Sequence, residues 1–525
     1  MKNCYFILIL MIFLSCKKQN SVLANSKSLS EIFGGKKLKI DTLLITKFDS
    51  KDLMLFYKQK DFETVWQSVE NRNIILNKIS KSFTDGLEPN DYEKDKLLNC
   101  EKNYESLDDN SLIDYDLLLT NNLQKYINHL FKGKLNPRRL YNDWDLNEKE
   151  IDVSTLIINA LNENNFDFAL ENCKPKNQFY KQLEKNLQTI DAMTYDYSKP
   201  ILFAIKGKIK PKESNSLIIA IKKRLMYWNY LIKTDSITKI YDKKTVSAIV
   251  YFQENHGQIC DGIIGKSTIN ALNFNKSERR EQIVANMERW RWYPDDFGTH
   301  YTLVNIPDYS IKVIKNGEIL QSYNVIVGTD KRRSPVFTSK LSAVIFNPTW
   351  TVPPTIIKED LIPDAIKSRR YFSKMHITIF DRKHNKVNPY RWNPEKANNY
   401  SYLQDPGDKN SLGRMKIIFP NKFSVYLHDT NHKDGFSRNF RSLSSGCTRV
   451  ENPLGLAEYV LGDSVRWNRL KIDEKIAEKK TYSITISQKI LHYQLYFTAW
   501  TENDHFIFRD DVYDLDFDLY CRLRN

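Results

Sequence analysis

The sequence lacks any apolar run long enough for a membrane-spanning helix, which needs about 20 residues. The run from Tyr5 to Leu14 is too short, and no later segment supplies such a span. The sequence also lacks CxxC pairs and CxxC…HxxxH spacing, so we do not expect a structural zinc site. No motif requires another metal or an organic cofactor, and we predict that the chain uses neither.

A concentrated block of one charge is also missing. Lys and Arg number 79 against 64 Asp and Glu, which gives a net charge of +15 and a pI near 9.1. The basic residues are spread along the chain among the acidic ones, so much of this charge serves only solvation. We expect no nucleic-acid partner, and the basic surface suits an anionic cell wall or membrane.

The first residues have the pattern of an export signal. Lys2 gives a basic start, the short apolar run follows, and a polar stretch begins after Cys16. The residues before Cys16 resemble a lipoprotein processing site, with Phe13 in place of the usual aliphatic residue. We therefore predict removal of residues 1–15 and lipidation of Cys16. The alternative is a secreted protein that is cut nearby. Both predict an exported protein of the periplasm or cell envelope, and the lipid would be its link to a membrane.

The segment 424–452 combines a histidine and a cysteine in a pattern typical of nucleophilic catalysis. His428 lies near the end of an alternating strand pattern, and Cys447 follows the small residues Ser444, Ser445 and Gly446. A thiol with a pKa of about 8.5 is only about 3% ionised at pH 7, so it needs a base or a positive field. His428 is the candidate base. The small residues allow backbone N–H groups to approach a reacting carbonyl and hold an oxyanion.

Two further residues of this segment are candidates for substrate contact. Arg449 either binds a substrate carboxylate or holds the turn through an internal ion pair. Tyr426 lies two residues before His428 and so on the same strand face, where it contacts substrate, orients the histidine or only packs. Asp429 and His432 are interpreted as turn residues, and no carboxylate is predicted as a third catalytic residue. An isolated Cys and His would more often be core residues.

The order His428, then Ser444-x-Gly446-Cys447-x-Arg449, resembles the signature of the YkuD-type L,D-transpeptidases, which cross-link peptidoglycan. Ser445 stands where a second histidine is usual, and Asp429 stands where glycine is usual. Both departures resemble the large, YcbB-like multidomain subgroup. The resemblance implies that Cys447 attacks the third residue of a tetrapeptide stem, meso-diaminopimelate. Terminal D-Ala would leave, and the amine of a second stem would accept the acyl group. The implied partners are donor and acceptor stem peptides.

Other functions are compatible with the same residues. Water in place of the amine would give an L,D-carboxypeptidase, and a lysine amine would give attachment of a protein to the wall. A wall-binding scaffold with an idle site is the non-enzymatic alternative. A papain-like or NlpC-like peptidase is disfavoured because those folds place the cysteine before the histidine, although order alone does not exclude it.

The remaining cysteines leave two alternatives. If Cys4 is removed, Cys16 is lipidated and Cys447 is catalytic, four remain, and these either form two disulfides, in one of three pairings, or stay as free buried thiols. The four are Cys100, Cys173, Cys260 and Cys521.

The periodicity predicts a multidomain α+β protein. Helical spacing dominates the first part, three short helices follow, and alternation begins near Asn286, with Asn316-Gly317 predicting a type I′ hairpin. Trp290 and Trp292 are interpreted as packing residues. By resemblance, the regions are a helical scaffold, a small three-helix peptidoglycan-binding-like module and a β-rich catalytic domain with a capping insertion. The predicted ranges are 1–15 signal peptide, 16–44 linker, 45–212 scaffold, 213–275 module, 286–500 catalytic domain, about 353–422 capping insertion and 501–525 C-terminal extension.

Overall fold

The structure is a computed structural model that describes residues 36–195, 207–233, 235, 237–502 and 505–525. The predicted signal peptide and the lipidation site Cys16 lie outside these residues. Among the described helices, none is long and apolar enough to cross a membrane. The multidomain α+β class is confirmed.

The N-terminal region is helical and has its own core. Its longest helix begins after Asp108, whose side chain accepts a hydrogen bond from the Ser111 N–H, and ends at Gly133, where φ is 90°. One face of this helix packs against the neighbouring helices, and this core extends from Leu38 to Cys173. The helices of the region are α1 (Thr42–Thr46), α2 (Lys51–Gln59), α3 (Val69–Ser80), α4 (Lys94–Lys102), α5 (Asp109–Lys132), α6 (Pro137–Leu140), α7 (Val153–Glu163), α8 (Phe166–Asn172) and α9 (Gln178–Ala192).

The predicted three-helix module is present as α10 (Leu217–Tyr227), α11 (Lys243–Asn255) and α12 (Lys266–Asn273). Its own small core includes Phe252. Gly262 has a positive φ of 66° in the turn before α12. Gly265 is the N-cap of α12, and the Thr268 hydroxyl donates to Gln258.

The strands of the described residues form three sheets. They are β1 (Trp144–Asp145), β2 (His300–Asn305), β3 (Ser310–Lys315), β4 (Glu318–Gly328), β5 (Val336–Lys340), β6 (Ala343–Phe346), β7 (Trp350–Thr351), β8 (Ile377–Phe380), β9 (Lys386–Val387), β10 (Ser401–Gln404), β11 (Met415–Ile418), β12 (Leu427–His428), β13 (Ser442–Ser444), β14 (Thr448–Val450), β15 (Tyr482–Thr485), β16 (Leu491–Leu495), β17 (Ala499–Glu502) and β18 (His505–Phe508).

The large sheet runs in the order β1-β5-β16-β2-β3-β4-β14-β12-β11-β6-β15, and β13 pairs with β4. Asn316 and Gly317 join β3 to β4 with φ values of 52° and 85°. Both are positive, as the predicted type I′ hairpin requires. The sheet places β12 between β11 and β14, so His428 lies among neighbouring strands on both sides.

The insertion forms a separate layer with its own core, and we call it the cap. The sheet order is β7-β10-β8-β9, and its core includes Phe372, Trp392 and Tyr402. Its helices are α14 (Pro354–Ile356), a π-helical turn (Ile357–Leu361), α15 (Ile362–Lys367) and α16 (Arg370–Lys374). The predicted insertion ran to about residue 422, but β11, which lies within that range, belongs to the large sheet.

The long helix α13 (Lys276–Trp292) joins the regions of the chain. Trp290 and Trp292 are buried in it, as predicted for packing residues. It packs against α9, α5 and the C-terminal helix, and α9 shares the core of the catalytic sheet although the sequence placed it in the scaffold. The remaining helices are α17 (Pro453–Leu461), α18 (Arg469–Ala477) and α19 (Asp516–Arg524).

Candidate active site

The predicted nucleophile and base lie on one face of the large sheet. His428 is the register partner of Lys416 on β11 and of Arg449 on β14. Register partners share a face, and so do residues two apart along a strand. Lys416, His428 and Arg449 therefore form one row, with Tyr426 and Cys447 beside it. The rings of Tyr426 and His428 meet edge to face, with centroids 5.6 Å apart.

The turn that carries Cys447 is held by hydrogen bonds. Ser444 Oγ donates to the Cys447 carbonyl at 2.6 Å and accepts from the Gly446 N–H at 3.3 Å. Ser334 Oγ donates to the Gly446 carbonyl at 2.8 Å. Gly446 has a φ of 105°, and a Cβ there would lie 3.2 Å from the Arg333 carbonyl oxygen. Only glycine fits this conformation without strain.

The Cys447 N–H is an open donor in this turn. It makes no hydrogen bond to any residue that the structure describes, whereas the Gly446 N–H is already occupied by Ser444. A backbone donor that has no internal partner and lies beside the nucleophile is suited to hold an oxyanion.

Burial makes both members of the candidate pair, Cys447 and His428, neutral. Burial, and then the charge of Arg449, lower the pKa of His428 from 6.5 to about 3. Burial also raises the pKa of the Cys447 thiol, although Tyr426 and the charges of Arg449 and Lys416 oppose this rise. The imidazole is therefore unprotonated at neutral pH, while the thiol still carries its proton.

In the resting site the backbone of Asp429 lies close enough to the imidazole of His428 to raise its pKa, but the imidazole has an unpartnered nitrogen. Nδ1 of His428 is buried without a hydrogen-bond partner among the described residues. No hydrogen bond between His428 and Cys447 is formed in this part of the chain, and the sulfur instead lies against Tyr426. Catalytic hydrogen bonds often form only in the substrate complex.

Of the two roles considered for Arg449, the internal ion pair is not formed among the described residues. Its Nε is buried without a partner, and burial lowers the pKa of its guanidinium. Asp429 is the turn residue that the sequence suggested, because its carboxylate accepts from the Arg414 N–H at 2.8 Å and pairs with Lys433. His432 is exposed in the following turn.

The cap reaches the site at two points. Trp350 lies against the Tyr426 hydroxyl. Burial and the charge of Cys447 raise the pKa of this hydroxyl, and the contact with Trp350 opposes that rise. Arg332 donates to Ser445 Oγ at 2.9 Å and also binds Glu359 and Asp360 of the cap at 2.9 and 2.7 Å. The turn of Cys447 is thus tied to the cap through one guanidinium.

The sequence did not identify four residues that contact the site: Lys416, Ser334, Arg332 and Tyr513. Tyr513 belongs to the C-terminal extension, and its hydroxyl accepts from the Ser334 N–H at 3.0 Å and donates to the Gly328 carbonyl at 2.9 Å. No local pattern marks these residues, since each comes from a different segment. The one available signal is the alternation of apolar and polar residues that ends at His428. It predicts a strand there, and a strand needs a neighbour such as β11, which carries Lys416.

The remaining cysteines are free. Cys100, Cys173, Cys260 and Cys521 form no disulfide among the described residues. Cys173 is buried and Cys260 is exposed. In the same described ranges, no group of three or more His, Cys, Asp or Glu residues is placed to hold a metal ion.

A family model described as an L,D-transpeptidase catalytic domain matches residues 299–472, a range that includes His428 and Cys447. The chain carries an L,D-transpeptidase catalytic domain. Models described as a scaffold domain and as a "Putative peptidoglycan binding domain" match residues 51–187 and 214–272. The predicted resemblance is thereby confirmed for the scaffold, the module and the catalytic domain.

One curated relative is a "Putative L,D-transpeptidase" of Haemophilus influenzae, 35% identical over 244 residues. The match covers 46% of this chain and 49% of the relative, so the chain spans about half the length of the relative. Among solved structures, an L,D-transpeptidase from Mycobacterium smegmatis is 12% identical, with a TM-score of 0.19 over 38% of this chain and 58% of that one. L,D-transpeptidase 1 of Mycobacterium tuberculosis is 12% identical, with a TM-score of 0.18 over 38% and 61%.

Proposed function

We propose that the chain is a peptidoglycan L,D-transpeptidase of the cell envelope, with Cys447 as nucleophile and His428 as base. The observation that carries the proposal is the placement of a thiol and a neutral imidazole on one face of a domain that matches this family. The match of residues 214–272 to a peptidoglycan-binding model supports the same substrate.

The proposed reaction begins with attack of Cys447 on the third residue of a tetrapeptide stem. As the sulfur bonds to the carbonyl carbon, its proton passes to the imidazole of His428, and the carbonyl oxygen becomes an oxyanion beside the Cys447 N–H. Collapse of the oxyanion breaks the C–N bond. The imidazolium then returns the proton to the leaving amine of D-Ala, and a thioester remains.

The second half of the reaction transfers the acyl group. The amine of a second stem attacks the thioester and gives a proton to His428, and the C–S bond breaks. The thiolate regains this proton, and the two third residues, taken as meso-diaminopimelate, are joined by a new amide. The cap supports this step because a covered thioester is protected from water.

Mass analysis of muropeptides tests the proposal. The protein in detergent solution is incubated with disaccharide-tetrapeptide, beside Cys447→Ala, His428→Ala and the control Cys260→Ala, which removes an exposed thiol outside the site. We expect cross-linked dimers with loss of D-Ala from the wild type and from Cys260→Ala, and none from the other two. Tripeptide alone would indicate a carboxypeptidase. Folded protein without turnover would favour a wall-binding scaffold.

A further inference from the structure

The row on the catalytic face carries two cations and no anion. Lys416 and Arg449 flank His428 as its register partners, and neither forms a salt bridge with a described residue. Asp429, the acidic residue next to His428, points to the other face, as successive residues in a strand do. Its carboxylate is already bound to Lys433 and to the Arg414 N–H.

Other arginines of the described residues are of both kinds: Arg279 is buried without a salt bridge and Arg441 Nε is buried without a partner, while three more deeply buried arginines pair with acids. Arg289 pairs with Asp516, Arg291 pairs with Glu288 at 2.9 Å, and Arg72 pairs with Glu101 at 2.9 Å. Charged groups that leave water usually need a partner of opposite charge. Lys416 and Arg449 are both half-buried, so an anion from a ligand would supply the missing charge.

Of the two cations, Lys416 is the one that lies beside Tyr426. Its Nζ lies 5.0 Å from the centroid of the Tyr426 ring, and Tyr426 contacts Cys447. Its charge acts on both Cys447 and His428. The flexible stem of a lysine lets the ammonium follow a bound group, whereas Arg449 Nε is enclosed by protein.

We propose that Lys416 binds the carboxylate of the terminal residue that the donor stem releases. This rests on the proposed function, because it assigns the donor side of that reaction. In the donor, a single carbon separates the terminal carboxylate from the nitrogen of the bond that Cys447 breaks, so this carboxylate binds close to the sulfur. Only the ring of Tyr426 lies between the Lys416 ammonium and Cys447, so the ammonium can reach the carboxylate. Lys416 is then a specificity residue that selects donors ending directly after the scissile bond.

The experiment compares two donors with the full-length protein in detergent solution. One is disaccharide-tetrapeptide, and the other is the same compound with a terminal carboxamide. The wild type should prefer the free acid by about tenfold or more in kcat/KM, mainly through KM, since the carboxamide carries no charge to pair with the ammonium. Lys416→Met should lose most of this preference.

Two controls keep the assignment specific. Lys422→Met is a matched control, because the Nζ of Lys422 also lies beside an aromatic ring, 5.2 Å from that of Phe423. This variant should keep the preference for the free acid. Loss of the preference in Arg449→Gln, with the preference intact in Lys416→Met, would overturn the proposal. Equal use of both donors by the wild type would overturn it as well.

A binding measurement separates this proposal from the proposed function. Calorimetric titration of Cys447→Ala and of Cys447→Ala/Lys416→Met with both donors requires no turnover. We expect the single variant to bind the acid about tenfold more tightly than the amide, and the double variant to bind both equally. An equal acid preference in both variants would overturn the role of Lys416. Absence of turnover by the wild type would count against the proposed function alone.

Discussion

Cys447 and His428 start the proposed reaction as a neutral pair. Burial raises the pKa of the thiol and lowers that of the imidazole to about 3, so an ion pair is not the resting state. The thiolate must form as the sulfur attacks, and the charges of Lys416 and Arg449 favour it at that moment. The cost of ionisation is thus met only when a substrate is in place.

The conformation of Gly446 gives a test at a single position. Gly446→Ala should abolish turnover, because a side chain at φ of 105° costs about 1–3 kcal/mol and the new Cβ would press on the Arg333 carbonyl. Gly317→Ala is the matched control, since it also has a positive φ, 85°, but has open space around it. Muropeptide turnover and melting temperature are the measurements. Full activity in Gly446→Ala would contradict the strict need for glycine.

The residues around the turn differ in how far the sequence predicts them. His428, Gly446 and Cys447 occur in one segment with recognisable spacing, so their nearness could be predicted. Ser334 and Tyr513 are separated by 179 residues, and their contact depends on how β5 and the C-terminal segment pack. Such long-range placement has no local signal.

The cap is joined to the catalytic turn by Arg332. This residue lies in the turn after β4, and its partners Glu359 and Asp360 lie in the π-helical turn of the cap. The carboxylates are about half exposed, at 50% and 46%, so the ion pairs add little to global stability. Their effect should be on the position of the cap instead.

Removal of this link should loosen the cap without unfolding the protein. For Arg332→Met we expect faster hydrogen exchange at residues 354–374, a KM raised several-fold and a loss of less than about 1 kcal/mol in stability. Arg333→Met is the control, because Arg333 pairs with Asp330 inside its own turn. Unchanged exchange in Arg332→Met would show that the core of the cap alone holds it closed.

The elements themselves were largely predictable. The hairpin at Asn316-Gly317, the helix that Asn452 caps and the three helices of the module follow from local rules. The sequence could not show that α9 packs with the catalytic sheet, because an amphipathic helix carries no sign of which core it joins.

Buried histidines should make the stability of the chain depend on pH. Burial lowers the pKa values of His129, His428 and His492 to about 3, and it lowers that of His256 well below 6.5. The unfolded chain binds protons at these positions below about pH 6.5, while the folded chain does not. Stability is therefore fully present above pH 6.5 and is lost as the pH falls toward 3.

The size of this effect can be measured by melting curves between pH 8 and 4. Each histidine contributes up to about 1.4 kcal/mol per pH unit in that window. His492→Gln should flatten the pH dependence, and glutamine can retain the hydrogen bond with Thr302. The exposed His432→Gln should leave the slope unchanged. A melting temperature independent of pH from 6.5 to 4 would contradict the argument.

The contacts of α19 set an order of events when the chain is made. Arg524 donates to the Gly86 carbonyl at 3.3 Å, the Leu523 carbonyl accepts from Lys134 at 2.8 Å, and Asp516 pairs with Arg289. A ribosome releases residue 86 long before residue 524. The N-terminal core can form early, but the surface that receives α19 stays uncovered until translation has delivered the far segment. Protection of that surface by a chaperone would then be needed for a longer time than in a protein built from local contacts.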